Sequence, residues 1–128
     1  MVKAESFKSP KLPAPIGPYS QAIKFSAGSM IYVAGMTSLN GDNELVGEGD
    51  VKAQTKRILT NVSTILEDAG TSLNNVIKVT VILKDRSLFA DFNEAYGEFF
   101  KDNQPARTPI FSDIGPNLIS MDFIAGME

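Results

Sequence analysis

The sequence contains no cysteine, no histidine and no tryptophan among its 128 residues. Without cysteine the chain has no disulfide, no thiolate nucleophile and no thiolate ligand for a metal. Without histidine it has no serine–histidine–aspartate triad, no imidazole acid or base and no ordinary zinc site. These absences exclude most designs of hydrolases and oxidoreductases, and we expect no metal site.

Positive charge is also scarce, since 12 Lys and Arg stand against 15 Asp and Glu and leave a net charge of −3. A nucleic-acid-binding protein normally has a basic face, so nucleic acid is not an expected partner. No apolar run approaches the roughly 20 residues that cross a bilayer, so no membrane partner is expected. The first 18 residues lack the apolar centre of a secretory signal. These features favour the cytoplasm and leave a mitochondrial location open.

Apolar residues make up 43% of the chain, and no linker divides it, so we expect a single domain over residues 1–128. Four prolines between Pro10 and Pro18 predict an extended surface segment. Alternating residues predict a strand over Ser20–Ser26, and a second strand is expected over Met30–Gly35. The turn signal Ala27–Ser29 between them favours a hairpin.

Helical spacing of apolar residues begins after Asp50, a good N-cap residue, and ends at Gly70, which suits the left-handed end of a helix. Val76–Leu83 is β-branched and nearly all apolar, which is typical of a central strand covered on both faces. A second helix is expected to have Ser87 as its cap. Its apolar stripe consists of Phe89, Phe92, Tyr96, Phe99 and Phe100.

Two last strands are expected over Thr108–Ser112 and Leu118–Ala125. This order of elements predicts an α+β domain of two layers, in which two helices cover one face of a mixed sheet. The other face would remain bare, and we expect Val33, Val79 and Val81 to be among the side chains on it. A bare apolar face favours association, so we expect an oligomer.

Three residues stand out as candidates for chemistry, and each has a simpler explanation. Arg107 follows Pro105 at the start of a strand, where a fixed guanidinium suits a small carboxylate, although its position alone favours an ordinary surface arginine. Asp122 lies within a strand, where Asp is uncommon, and position alone favours a solvent-facing or edge-protecting charge over catalysis. Tyr19 lies on the stiff segment after Pro18, and it could simply pack on the sheet.

Several sequence motifs resemble one family in the same order along the chain. They are Ile16–Ala22 (IGPYSQA), Lys78–Val81 (KVTV), Asn93–Phe100 (NEAYGEFF) and Pro105–Arg107 (PAR). Together these motifs resemble the reactive intermediate deaminase family, also known as Rid, YjgF, endoribonuclease L-PSP or translation inhibitor. The resemblance covers nearly the whole chain.

The resemblance implies a fold like that of chorismate mutase, assembled as a homotrimer with a central barrel and with sites between subunits. It implies hydrolysis of 2-imino and enamine acids, such as 2-aminoacrylate, to 2-keto acids and ammonia. The family arginine that binds the substrate carboxylate corresponds to Arg107. No cofactor or metal is implied, because water attacks a carbon that is already electrophilic and the protein mainly has to orient the reactants.

The pocket positions of the family correspond to Tyr19, Gly35, Phe89, Asn93 and Arg107 in this sequence, and three further positions depart from the family pattern. Those three positions are Ala34, Pro109 and Asp122. Ala34 replaces the usual serine and so removes a hydroxyl group. Pro109 has no backbone N–H to donate. Asp122 replaces the glutamate that helps to position water, and its carboxylate reaches about 1.5 Å less far.

Three functions therefore follow from the sequence. The first is an imine deaminase in which Arg107 and Asp122 are the catalytic residues. The second is a non-catalytic regulatory protein or chaperone that binds keto or imino acids, which the departures at Ala34 and Pro109 favour. The third is the endoribonuclease or translation inhibitor of the older family labels, against which the acidic charge and the lack of histidine argue.

Overall fold

The computed structural model describes residues 2–128 and contains six strands and two α-helices. The strands are β1 (Lys3–Phe7), β2 (Ala22–Ser26), β3 (Ser29–Met36), β4 (Val76–Leu83), β5 (Ala106–Phe111) and β6 (Ile119–Met127). The helices are α1 (Val51–Ala69) and α2 (Phe89–Phe99), and short 3-10 turns occupy Leu73–Asn75 and Arg86–Leu88. The expected α+β class is confirmed, with both helices against a mixed sheet.

The main sheet has the strand order β3-β6-β4-β5, in which β4 and β5 run parallel and the other pairs are antiparallel. The predicted hairpin of β2 and β3 is wrong, because β2 pairs with β1 in a separate two-stranded sheet. Gly28, the glycine of the predicted turn, has a different structural role. A Cβ at Gly28 would lie 2.5 Å from the backbone carbon of Glu128, so glycine there lets the end of the chain pass closely.

The first helix begins and ends at the residues that the sequence indicates. The Asp50 carboxylate accepts a hydrogen bond from the Ala53 N–H at 3.1 Å. Gly70 has a φ of 96°, and its N–H donates to the Glu67 and Leu66 carbonyls. These caps satisfy backbone groups that the helix leaves unpaired at its two ends.

The second helix begins at Phe89, and the prediction that Ser87 caps it is wrong. Ser87 instead donates its backbone N–H to the Asp85 carboxylate at 2.8 Å, within a 3-10 turn that leads into the helix. Asp85 therefore caps the 3-10 turn two residues before the predicted cap. Its pKa lies below the usual value because of the hydrogen bonds from Ser87. No helix among residues 2–128 has both the length and the apolar composition needed to cross a bilayer.

The core lies between the main sheet and the two helices, and it contains Val33, Val79 and Val81, each at most 7% exposed. The prediction that these valines lie on the bare face is therefore wrong. Alternation along a strand separates its two faces, but it does not tell which face the helices cover. The opposite face carries Tyr32 and Ile110, which are 68% and 44% exposed. We call this face the open face. In the single chain, β4 is covered on one side only.

Candidate functional site

A pocket of about 250 Å³ lies between the start of β5, the helix α2 and the segment before β2. Its lining is mostly apolar and contains one charged side chain. The lining residues are Ile16, Gly17, Tyr19, Phe89, Asn93, Arg107 and Pro109. The structure thus brings together five residues that the sequence proposes for a substrate site.

The backbone around Arg107 is fixed by the chain segment that closes the pocket. Ser20 donates its backbone N–H to the Pro105 carbonyl at 3.1 Å, and its hydroxyl donates to the Gln104 carbonyl. Ser20 also forms an isolated parallel bridge with Ala106. These bonds hold Tyr19 beside Arg107. The sequence assigns Ser20 no role of its own, although it lies within the IGPYSQA motif.

Arg107 points towards the helices and not towards solvent. It is opposite Val79 in the parallel pairing of β4 and β5, and Val79 lies on the covered face of the sheet. The arginine side chain is 8% exposed. The alternative of an ordinary surface arginine therefore does not describe this residue.

The guanidinium of Arg107 is buried without a carboxylate partner among residues 2–128. Its Nε and Nη1 atoms have no hydrogen-bond acceptor in this part of the chain. Burial lowers the pKa of Arg107, while Tyr96 and Tyr19 act in the opposite direction. Arginine remains protonated in proteins even so, which makes the pocket a cationic site.

Unpaired polar atoms gather around this arginine. The other buried side-chain atoms without a hydrogen-bond partner in residues 2–128 are Asn93 Oδ1 and the Tyr96 hydroxyl. Buried polar groups in proteins are normally paired, and an unpaired cluster is typical of a place where a ligand or water binds. Burial raises the pKa of Tyr96, so its phenol remains neutral.

Four aromatic rings surround the Arg107 guanidinium. Its Cζ lies 5.4 Å from the ring centre of Tyr19, 5.6 Å from that of Phe89, 5.2 Å from that of Phe92 and 5.1 Å from that of Tyr96. All four distances fall within the range of cation–π attraction. Phe89, Asn93 and Tyr96 are three or four residues apart on α2, which places them on one side of the helix.

Pro109 lies in β5 two residues after Arg107 and borders the same pocket. β5 is an edge strand of the main sheet, a position that tolerates proline because no neighbour needs its N–H. The backbone therefore offers no donor to the pocket at this residue. Among the lining residues, the side-chain hydrogen-bond donors belong to Asn93, Arg107 and Tyr19.

The other predicted site residues lie elsewhere in the single chain. Ala34 and Gly35 are on β3, at the opposite edge of the sheet from Arg107, and three strand spacings separate the two edges by roughly 14 Å. Gly35 borders a separate open groove beside Asn61. Asp122 is exposed on the open face, opposite Thr80, whereas Arg107 points to the covered face. Within one chain, therefore, Asp122 does not meet Arg107.

Two lining residues, Ile16 and Gly17, are not among the predicted site residues. A Cβ on Gly17 would lie 3.5 Å from Arg107 Nη2 and 3.8 Å from Asn93 Nδ2, so the glycine keeps space open in front of both. The Gly-Pro-Tyr sequence could have identified them, because it places Gly17 two residues before Tyr19, which is a predicted site residue. The described part of the chain, residues 2–128, contains no cluster of three acidic residues that could hold a metal ion.

The fold and the pocket define a small α+β protein with a buried arginine among aromatic rings. The sequence matches the family model described as endoribonuclease L-PSP over residues 9–113. The chain belongs to this family, which is also called the Rid or YjgF family.

Similar proteins agree with this assignment. A RutC family protein from Pyrococcus abyssi is 48% identical over 120 residues, covering 92% of this chain and 93% of the relative. The 2-iminobutanoate/2-iminopropanoate deaminase of Mus musculus is 40% identical over 97 residues, covering 76% of this chain and 70% of the relative. The crystal structure of E. coli TdcF with bound serine is 28% identical with a TM-score of 0.71, covering 97% of this chain and 99% of that one.

Proposed function

We propose that this protein hydrolyses 2-imino acids and their enamine forms to 2-keto acids and ammonia, with Arg107 binding the substrate carboxylate. The observation that carries this proposal is the buried guanidinium that no carboxylate of the described chain pairs with. A ligand carboxylate would supply both the missing negative charge and acceptors for hydrogen bonds. The similarity to the mouse 2-iminobutanoate/2-iminopropanoate deaminase supports the reaction.

The reaction needs little from the protein beyond placement. Water adds to the electrophilic C2 of a protonated imine, and the resulting carbinolamine loses ammonia to leave the C2 carbonyl of the keto acid. The oxygen of the product comes from water, and the nitrogen leaves with the protons as ammonium. A cationic anchor that fixes the carboxylate also fixes C2 one bond away, so orientation supplies much of the rate.

The assembly that we propose with this function is the homotrimer implied by the resemblance. In a single chain the pocket group around Arg107 and the second group, Ala34, Gly35 and Asp122, lie apart. Contact between copies through the open face would let the second group of one copy approach the pocket of the next. Asp122 would then be the carboxylate that orients the attacking water.

A second candidate function is binding of keto or amino acids without turnover. Ala34 has no hydroxyl and Pro109 has no N–H, so two donors that would orient a substrate are missing. E. coli TdcF, with its bound serine, shows that a relative of this fold holds a small amino acid. We do not extend the endoribonuclease description of the family to this chain, because its net charge is −3.

The test is to couple the protein to a serine or threonine dehydratase, a pyridoxal-phosphate enzyme that releases these imines, and to follow keto-acid formation. We expect faster formation with the unchanged protein and only the uncatalysed rate with Arg107→Ala. Arg57→Ala, which removes an arginine of α1 outside the pocket, is the matched control and should retain activity. Saturable binding of 2-ketobutyrate without any acceleration would favour the second function, and no binding at all would reject both.

A further inference from the structure

Two of the four rings around Arg107 have no part in the proposed chemistry. Phe92 and Tyr96 have no exposed surface, and neither borders the pocket. Their ring centres nevertheless lie 5.2 and 5.1 Å from the guanidinium carbon. The faces of these two rings would therefore influence a bound anion through Arg107.

The same rings form part of a fixed stack along α2. The ring centres of Phe92 and Tyr96 are 5.2 Å apart, and those of Tyr96 and Phe100 are 4.7 Å apart. Phe100 is also buried, but it is not one of the four rings that lie against the Arg107 guanidinium. A stack of this kind cannot turn away from the guanidinium without opening the core, since protein interiors are closely packed.

The nature of the contact matters for anion binding. A carboxylate beside Arg107 would neutralise the guanidinium and compete with the ligand, since buried ion pairs hold each other tightly. The face of an aromatic ring attracts a cation through its quadrupole and carries no net charge. Rings therefore offset part of the cost of burying the arginine and leave its charge uncompensated.

We infer that Phe92 and Tyr96 are positioning residues that hold the Arg107 guanidinium by cation–π contact in place of a carboxylate, and so reserve its charge for the ligand. The identity of the ligand rests on the proposed function. The cation–π contact with the guanidinium does not depend on a ligand, so it can be measured separately from ligand binding.

The first experiment measures the Kd for 2-ketobutyrate by calorimetry in Phe92→Leu and in Phe100→Leu. Both variants remove one buried ring from the same stack, so a purely structural role predicts similar effects. We expect Phe92→Leu to raise Kd roughly tenfold. Phe100→Leu should lose comparable stability, measured by thermal unfolding, while its Kd stays within about twofold. Equal changes in Kd for the two variants would overturn the inference.

The second experiment needs no ligand and keeps an aromatic ring at position 92. Phe92 is replaced by 3,4,5-trifluorophenylalanine, which weakens the negative ring face, both in the unchanged chain and in Arg107→Met. We expect the fluorines to lower the folding equilibrium constant roughly fivefold when the arginine is present and less than about twofold when it is absent. Equal losses in the two backgrounds would overturn the inference even if Phe92→Leu failed to fold.

The two experiments separate the inference from the proposed function. If the unchanged protein does not bind 2-ketobutyrate but the fluorine effect depends on Arg107, the proposed ligand is wrong and the contact with the rings is upheld. If the protein binds 2-ketobutyrate and the fluorine effect is independent of Arg107, the ligand is upheld and the inference is wrong.

Discussion

Arg107 is only 8% exposed, and no carboxylate of residues 2–128 pairs with its guanidinium. Charged side chains are seldom buried without a partner, because removing a charge from water costs several kcal/mol in real proteins. Surrounding rings recover part of that cost, and a ligand anion would recover more. The arrangement therefore suits a protein whose stability and ligand affinity are linked, since a ligand that binds the folded state stabilises it.

Gly17 gives a prediction at the scale of a single side chain. A methyl group there would make ordinary contacts, 3.5 Å to Arg107 Nη2 and 3.7 Å to Tyr19 Cδ1, so Gly17→Ala should fold normally. The methyl would occupy the space before the guanidinium that a carboxylate needs. We expect Kd for 2-ketobutyrate, measured by calorimetry, to rise roughly tenfold as an ion-paired hydrogen bond is lost.

The matched control is Gly41→Ala, because a Cβ at Gly41 would meet nothing within 4 Å. Its affinity should equal that of the unchanged protein. Unaltered affinity in Gly17→Ala would show that the ligand does not approach Arg107 from this side, and would move the proposed site.

Sequence motifs locate most of the pocket, but they do not reveal its character. Tyr19, Asn93 and Arg107 can be identified because they lie within the motifs IGPYSQA, NEAYGEFF and PAR. The burial of Arg107 cannot be predicted in the same way, since the residue stands at the start of a strand, where surface arginines are common. Its burial follows from the pairing of β5 with β4, which fixes the side to which the arginine points.

At the scale of elements, local signals succeed and distant pairings fail. The ends of α1 follow from Asp50 and Gly70, whose effects depend on backbone groups within a few residues. The partner of β3 could not be predicted in this way, because it is β6, at the far end of the chain. The turn signal before β3 marks a place where another part of the chain passes closely, but it does not indicate which strand that is.

The cap of α1 gives a prediction for this scale. The Asp50 side chain accepts from the Ala53 N–H at 3.1 Å, and Asp50→Ala leaves that N–H without an acceptor. We expect the free energy of unfolding, measured in urea, to fall by about 1 kcal/mol. Asp68→Ala is the control, because Asp68 is an exposed acid near the other end of the same helix and should change stability little. Equal losses in the two variants would show that the cap contributes nothing specific.

For the whole molecule, we propose that contact between copies through the open face completes the site. It presents Tyr32 and Ile110 to solvent and carries Asp122 in the middle of the sheet. Association through this face would bury apolar surface worth about 25 cal/mol per Å², which amounts to several kcal/mol for a few such side chains. Because the valines of the core face the helices, a charge at Val81 would test folding and would not test assembly.

Tyr32→Glu is the variant that tests assembly. Tyr32 is 68% exposed in the single chain, so the charge should leave each chain folded, as circular dichroism would show, while it opposes contact between open faces. We expect light scattering to give a mass near three chains for the unchanged protein and a smaller mass for Tyr32→Glu. Hydrolysis of the imine should fall with the mass, since Asp122 would no longer reach a neighbouring pocket.

Leu12→Glu places the same charge at a residue that is 62% exposed outside the open face, and it should keep both mass and activity. A Tyr32→Glu monomer with full activity would contradict the shared site, because one chain alone holds Asp122 and Arg107 on opposite faces of its sheet.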